Sequence, residues 1–229
     1  MTDQSLSRQR ELPADRFHAG VRVASMGAWF LAVLVVFVVV RLLLNAVAGP
    51  VAGLGLLLVL MVAVAAAQPL ASLTEKALVR RWPSGRAVRL APGRLTWNDK
   101  GQTKDLDLRQ KVNFWRWRFE VKQRRSGRVP SGHHCVAIRL VQTDTEISLY
   151  SFMPPAKADA LAAGYPFYEL RRSSDRSKQA LGGRDALFLA AEHTRWQSGA
   201  ELDATDFEAL LGHLDAHLDG FRESAVVGG

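Results

Sequence analysis

The sequence predicts an α+β membrane protein with an N-terminal two-helix transmembrane hairpin, a small antiparallel β domain and a C-terminal helical extension. Three observations predict this fold class. Residues 23–70 are apolar almost throughout, and Arg41 is their one charged residue. From Arg86 onward, apolar residues recur at every second position, which is the period of a strand. Beyond residue 164 they recur at helical spacing instead.

The hairpin is predicted over residues 21–81, including a juxtamembrane extension of its second helix. A bilayer core of about 30 Å needs roughly 20 helical residues. The runs 23–40 and 51–70 each meet that length with a little flanking sequence. The intervening RLLLNAVAGP contains Asn, Gly and Pro, which end one helix and permit a reversal before the next. Residues 1–20 are polar and aperiodic, so they are predicted to form a cytoplasmic tail.

A cleavable signal peptide is the competing interpretation of the first apolar run. Ala46, Val47 and Ala48 resemble a small-residue cleavage site. However, the run is longer than the usual core of a signal peptide, and a second apolar run follows at once. These features favour a hairpin that is retained.

Basic residues predict the orientation of the hairpin. They flank its two outer ends: Arg8, Arg10, Arg16 and Arg22 before it, and Lys76, Arg80, Arg81, Arg86, Arg89 and Arg94 after it. Only Arg41 lies between the two runs. The positive-inside rule therefore predicts that both termini are cytoplasmic. Cys135 is the only cysteine, which suits a reducing compartment.

Three residues of the hairpin are predicted to take part in transmembrane packing. If the first helix ends near Arg41, this side chain snorkels to outer headgroups. If the helix runs on to Ala48, Arg41 sits deeper and needs a partner, such as a carboxylate or carbonyl of another subunit. Gly49 and Gly53 form a GxxxG pattern that permits close helix approach at the start of the second span.

The β domain is predicted over residues 86–163, as short strands separated by turns such as Pro92-Gly93. Its clearest strands are 134–141 and 145–152, and a short helix that starts with proline follows them. The helical extension is predicted over residues 165–229. Its clearest helix covers 204–221, with Thr205 and Glu208 as a capping box.

VRLAPGRLTWNDKG together with VAIRLVQTDTEISLYSFMPPAKADAL, preceded by the hairpin, resembles bacterial two-helix membrane proteins with a cytoplasmic PH-like domain. The first stretch reads as two strands around a Pro-Gly turn, and the second as a strand pair that leads into a helix. The resemblance implies a multi-pass protein of the bacterial inner membrane whose β domain binds or scaffolds at the membrane surface. It also implies a partner role in photosynthetic or respiratory complexes.

The stretch NFWRWRFEVKQRR, residues 113–125, interleaves aromatic and basic residues. Strand alternation puts Trp115, Trp117 and Phe119 on a core face and the basic residues on the opposite, exposed face. That face is predicted to contact anionic lipid headgroups or a protein partner. The predicted contact residues are Arg109, Lys111, Arg116, Arg118, Lys122, Arg124, Arg125 and Arg128. Nucleic acid is not expected as a partner, because the rings and arginines point to opposite faces.

Charge divides the chain after the hairpin. Residues 71–150 contain 17 Lys and Arg against 7 Asp and Glu, whereas residues 151–229 contain 8 against 12. The basic part is the one next to the apolar hairpin in sequence. The acidic helix 204–221 is expected to pack on the β domain or to dock a partner.

Catalytic and metal-binding patterns are missing from the sequence. There is no GxGxxG, Walker, HExxH, GxSxG or paired CxxC motif. The pairs His133 and Cys135, and His213 and His217, offer two ligands each at most, so neither a metal nor another cofactor is expected.

These observations together favour a non-catalytic accessory, scaffolding or assembly subunit of a larger membrane complex. Other membrane-protein subunits and anionic headgroups are its expected partners. The alternative is a stand-alone sensor of anionic lipid headgroups at the membrane surface.

Overall fold

A computed structural model describes residues 9–49, 52–121, 129–170 and 183–227. The chain divides into two compact units. Residues Arg16–Ser84 form the hairpin unit. Residues up to Asp15, together with those from Gly85 onward, form the β unit. The N-terminal segment therefore belongs to the same unit as the chain that follows the hairpin.

The hairpin unit consists of two long apolar helices, α1 (Ala19–Ala48) and α2 (Leu54–Arg81). Both are long and apolar enough to cross a bilayer. Val59, Ala63 and Ala67 lie one helical turn apart on α2 and are its buried residues. Small side chains at this spacing let two helices approach closely.

The outer ends of the two helices are joined within the hairpin unit. Nε2 of His18 lies 3.1 Å from the carbonyl oxygen of Trp82. The two rings meet edge to face, with their centroids 5.4 Å apart. The residue before α1 is thus in contact with the residue after α2.

The bounds of α1 meet the condition of the second alternative for Arg41, a helix that runs on to Ala48, and they correct the GxxxG prediction. The helix runs on to Ala48, so Arg41 lies inside it rather than at its end. Gly49 caps α1 and Gly53 precedes α2, with φ angles of 85° and 58°. Because both glycines have left-handed backbone in the connection, neither provides a helix-packing surface.

The first sheet of the β unit has four antiparallel strands in the order of the chain. They are β1 (Arg10–Pro13), β2 (Arg86–Ala91), β3 (Arg94–Asp99) and β4 (Gln102–Asp107). Strand β1 lies in the segment predicted as a tail, and Leu12 pairs with Val88 of β2. That prediction missed the strand because RELP contains only one apolar residue, too few for a period to be visible.

The second sheet is built on three long antiparallel strands, β5 (Asn113–Glu120), β6 (His134–Gln142) and β7 (Thr145–Met153). The strands predicted at 134–141 and 145–152 are confirmed. Three two-residue strands extend the sheet: β8 (Tyr168–Glu169), β9 (Ala200–Glu201) and β10 (Val226–Val227). Strands β8 and β10 pair with β5, and β9 pairs with β7.

Three shorter helices complete the described part of the β unit: α3 (Pro155–Gly164), α4 (Arg184–Ser198) and α5 (Ala204–Asp215). Helix α3 is confirmed. Helix α5 ends before the predicted residue 221, and its cap is Asp203, whose carboxylate accepts a hydrogen bond from the Asp206 amide. Glu208 instead pairs with Lys157 of α3 at 3.3 Å. The predicted capping box is therefore wrong.

The main core is shared by both sheets and α5. Leu12, Leu95, Ile138 and Leu149 from the strands and Phe207 from α5 are all fully buried in it. A second cluster lies between the other face of the second sheet and α4. Residues predicted as a separate extension thus supply strands and core side chains to the same unit as residues 86–163.

Arg86 joins the two chain segments that flank the hairpin unit. Its guanidinium donates to the carboxylates of Asp99 at 2.7 Å and of Asp15 at 2.8 Å. The Asp15 side chain also accepts from the Glu201 amide at 2.9 Å. The hydrogen bonds from Arg86 hold the pKa of Asp99 below its ordinary value. These contacts tie the end of β1 to β2, β3 and β9.

Replacing Leu12 by Ala tests whether the segment before the hairpin is part of the β unit. Leu12 is fully buried, so its truncation is expected to lower the free energy of unfolding by about 2–4 kcal/mol. The matched control is Glu11→Ala in the same strand. Its exposed pair with Arg89 contributes less than about 1 kcal/mol. Unfolding followed by tryptophan fluorescence measures both variants, and equal stabilities would show that β1 is dispensable.

Candidate functional site

Arg116 is fully buried, which corrects the prediction that it lies on an exposed cationic face. The rings of Phe114, Tyr165, Phe167 and Phe221 surround its guanidinium, at 4.1 to 5.8 Å from Cζ to the ring centroids. Nη2 donates to the backbone carbonyls of Phe221 and Ser224. Burial lowers the pKa of Arg116 to about 10, so the group stays charged at neutral pH.

The alternation of β5 is as predicted, but from Phe114 to Trp117 both faces of the strand are covered. Trp115 and Trp117 pack against Phe188 and Ala191 of α4. The face that carries Phe114 and Arg116 meets the main core and the last described residues of the chain. A strand covered on both sides has no solvated face. Arg116 therefore stabilises the position of the C-terminal segment and is out of reach of a lipid or partner.

Arg118, the next basic residue of β5, is largely paired within the β unit. Its Nη1 donates to the carboxylate of Asp159 on α3 at 2.7 Å, and its Nη2 lies 3.8 Å from that of Glu169 on β8. Arg10 of β1 similarly pairs with Asp206 of α5 at 3.3 Å. Basic strand residues thus meet carboxylates of the acidic C-terminal part, as expected if those helices pack on the β domain.

A polar cluster beneath α4 was not found from the sequence. The carboxylate of Glu192 accepts from the indole N–H of Trp117 at 2.9 Å and from Arg195 at 2.6 and 2.7 Å. The buried Arg195 guanidinium lies 4.5 Å from the ring centroid of Tyr150. The spacing of Glu192 and Arg195 is typical of an ion pair along a helix. Only the fold shows that Trp117 of β5 also binds Glu192.

Among the predicted contact residues that the structure describes, Arg109 and Lys111 are exposed. They lie in the loop between β4 and β5, which lines a cleft of about 400 Å³ together with Phe114 and residues 217–219. The remaining predicted contacts, Lys122, Arg124, Arg125 and Arg128, lie outside the described residues. The structure thus separates Arg109 and Lys111 from Arg116 and Arg118, which the sequence had grouped in one patch.

Hydrogen bonds fix the loop that carries these two cations. The carboxylate of Asp107 accepts from the Arg109 amide and from the Gln110 side chain, both at 3.1 Å. Gln142 of β6 donates to the Asp107 carbonyl at 2.8 Å and accepts from its amide at 2.9 Å. Arg109 also lies so close to Gly93 that a Cβ there would approach its Nε to 2.7 Å. The cleft wall is therefore held in place before any ligand binds.

The histidines and the cysteine do not gather into a larger constellation in the described part of the chain. His213 lies in α5 and His217 in the turn that follows it. Their rings are 4.5 Å apart, and Nδ1 of His217 bonds the His213 carbonyl at 2.8 Å. Cys135 is buried in β6. Within the described ranges, no group of three or more His, Cys, Asp and Glu has the placement to hold a metal ion.

Comparison of the chain with protein-family models, with curated proteins and with solved structures gives no match.

Two neighbouring arginines of β5 provide a matched test of the buried cage. Arg116→Ala leaves a cavity among four rings and two carbonyls without their donor, and is expected to cost about 2–4 kcal/mol of stability. Arg118→Ala removes a pair whose carboxylate is mostly exposed and is expected to cost less than about 1 kcal/mol. Thermal unfolding of both variants measures the difference. A destabilisation by Arg116→Ala no larger than that by Arg118→Ala would contradict a buried, structural Arg116.

The lowered pKa of His213 predicts that the folded protein loses stability in mild acid. Burial, and then the neighbouring His217, lower its pKa below the ordinary value of 6.5. The folded state thus favours the neutral ring. Its stabilising contribution is present above pH 6.5 and is lost as the pH falls through the lowered value. His213→Asn is expected to flatten the profile of unfolding temperature against pH in this range, whereas the control His193→Asn, at an exposed position, is not. Parallel profiles for the wild type and His213→Asn would contradict this assignment.

Proposed function

We propose that this chain is a non-catalytic accessory subunit of a larger membrane complex, and that its hairpin docks on another membrane protein. The β unit is then a folded module held at the cytoplasmic face. In line with the resemblance described above, the complex is one of a bacterial inner membrane, of the photosynthetic or respiratory kind. The alternative, a sensor acting through a broad cationic strand face, loses support because Arg116 is buried and Arg118 is paired.

Arg41 is the observation that carries this proposal. It lies inside α1, seven residues before the end of the helix at Ala48, and apolar residues both precede and follow it. Its side chain is exposed on the hairpin unit and makes no hydrogen bond or ion pair with any residue that the structure describes. A cation within an apolar span is costly unless it is paired. A carboxylate in a span of a neighbouring subunit is the partner that satisfies it.

The apolar surface of the hairpin supports the same conclusion. Leu31, Leu34 and Val38 on α1 and Leu58 and Met61 on α2 are all more than 40% exposed. Only lipid tails or the helices of another membrane protein cover such a surface favourably. Arg41 is the lone charge on this apolar surface. Its presence favours a face that docks on a protein over a face that meets lipid alone.

The pairing of β1 with β2 supports an orientation with both ends of the hairpin on one side of the membrane. Pro13 and Ala87 are partners in the same sheet, although the whole hairpin lies between them in sequence. A chain that crosses twice returns to the side from which it started. The basic residues that flank both ends favour the cytoplasmic side.

The order of elements supports a PH-like β unit. Strands β2 to β7 follow one another in two antiparallel series and lead directly into the short helix α3. The resemblance to membrane proteins with a PH-like domain is based on this order of strands and helix. Strand β1 from before the hairpin, the cluster under α4, and helix α5 in the core are additions to it.

Gentle extraction and affinity capture of the tagged chain test the proposal. The expected result is a stoichiometric membrane partner that carries an Asp or Glu within a predicted span. Arg41→Leu is expected to reduce its recovery by about tenfold or more, because a buried pair loses one member. Arg41→Lys keeps the charge and is expected to retain most of the partner.

Lys76→Leu is the matched control, since it removes an exposed cation from the other helix of the same unit. It is expected to leave recovery of the partner unchanged. A chain that runs alone after gentle extraction, or a partner retained equally by Arg41→Leu, would overturn the proposal.

A further inference from the structure

The cleft between the β4–β5 loop and residues 217–219, which follow α5, has the size and lining of a small-molecule site. Its volume of about 400 Å³ falls within the range of known ligand pockets. Leu108, Val112, Phe114 and Leu218 form its apolar part and are buried. The loop is fixed by Asp107 and Gln142 as described above. The cleft is thus a preformed concavity rather than an opening between mobile segments.

The cleft is lined by charges of both signs that do not neutralise each other. Arg109 and Lys111 lie on one wall, and Asp219 lies on the other. Among the described residues, none of the three forms a salt bridge or a side-chain hydrogen bond with another side chain. Unpaired opposite charges around one concavity complement a ligand that itself carries both signs.

His217 adds an acceptor to the wall that carries Asp219. Its Nδ1 bonds the carbonyl oxygen of His213 at 2.8 Å, so this nitrogen carries the proton. In the neutral ring Nε2 is then an acceptor. Asp219 and His217 together suit an ammonium group, whereas Arg109 and Lys111 suit a phosphate.

We infer that this cleft binds a phosphate ester that carries a primary ammonium group, namely phosphoethanolamine. Inorganic phosphate satisfies the two cations and leaves Asp219 opposed to an anion. Ethanolamine satisfies Asp219 and leaves the two cations unpaired. The ligand is either free phosphoethanolamine or the headgroup of phosphatidylethanolamine, since both present the same chemistry. This inference goes beyond the docking function proposed above and does not depend on it.

Calorimetric titration of the full chain in a neutral maltoside detergent tests the inference. The titrants are O-phosphoethanolamine, inorganic phosphate and ethanolamine. O-phosphoethanolamine is expected to bind more tightly than either of the other two. The double variant Arg109→Gln, Lys111→Gln is expected to weaken it at least about fivefold, since two charge contacts are lost.

Asp219→Asn separates recognition of the ammonium from simple attraction of anions. It is expected to lower the preference for O-phosphoethanolamine over phosphate by about two- to fivefold, and to leave phosphate binding unchanged or stronger. Lys100→Gln, an exposed cation on the β3–β4 turn, is the control and is expected to have no effect. All variants must unfold at the wild-type temperature, because every substituted side chain is exposed.

Titration in nanodiscs distinguishes the two sources of the ligand. If headgroups fill the cleft, soluble O-phosphoethanolamine binds in phosphatidylglycerol discs but is displaced in discs that contain phosphatidylethanolamine. Equal binding in both indicates the free compound. The inference is overturned if O-phosphoethanolamine binds no better than phosphate, if Asp219→Asn leaves that preference intact, or if Lys100→Gln weakens binding as much as the cleft variants do. Each of these outcomes is independent of whether a membrane partner is captured.

Discussion

The pairing of β1 with β2, closed by Arg86 between Asp15 and Asp99, is the constraint on which the rest of the structure depends. It makes the hairpin an insertion into the β unit rather than a leader in front of it. Both ends of the apolar segment start from one sheet, so the chain before α1 and the chain after α2 cannot fold independently of each other. Two charge-assisted hydrogen bonds to Asp99 and one to Asp15 favour this closure more than an isolated exposed pair does.

The fold also affects which charges are paired within the chain. The sequence is strongly basic in its middle and acidic at its end, and much of that contrast is satisfied internally, at Arg118 with Asp159 and Glu169 and at Arg10 with Asp206. Among the described cations without a carboxylate partner, Arg41 on the hairpin and the pair at the β4–β5 loop stand out, since each lies in a setting where an unpaired charge is costly or selective.

Residue patterns predict the elements whose signal is local. The helices α1 and α2 follow from unbroken apolar length, and β6, β7 and α3 follow from a period of two and a proline at the helix start. The rest depends on contacts between residues far apart in sequence. Alternation assigns Arg116 to the face opposite Trp115, but that face is buried only because Phe221 and Ser224, more than 100 residues later, fold over it. Leu12 is one apolar residue among polar neighbours, so its strand is visible only through its pairing with Val88. The cleft charges were predicted as contacts, but Asp219 and His217 were not, because nothing in the sequence brings them to Arg109 and Lys111.

The insertion of the hairpin into the β unit is tested most directly by cross-linking across β1 and β2. Glu11 and Arg89 are paired, exposed residues on opposite sides of the hairpin in sequence, and the one native cysteine, Cys135, is buried. The double variant Glu11→Cys, Arg89→Cys is predicted to form an intramolecular disulfide in membranes under mild oxidation, because paired strand residues lie within disulfide range. Glu11→Cys combined with Lys104→Cys is predicted to form none. Absence of the 11–89 link in a stably folded variant, or equal linkage in both, would contradict the account.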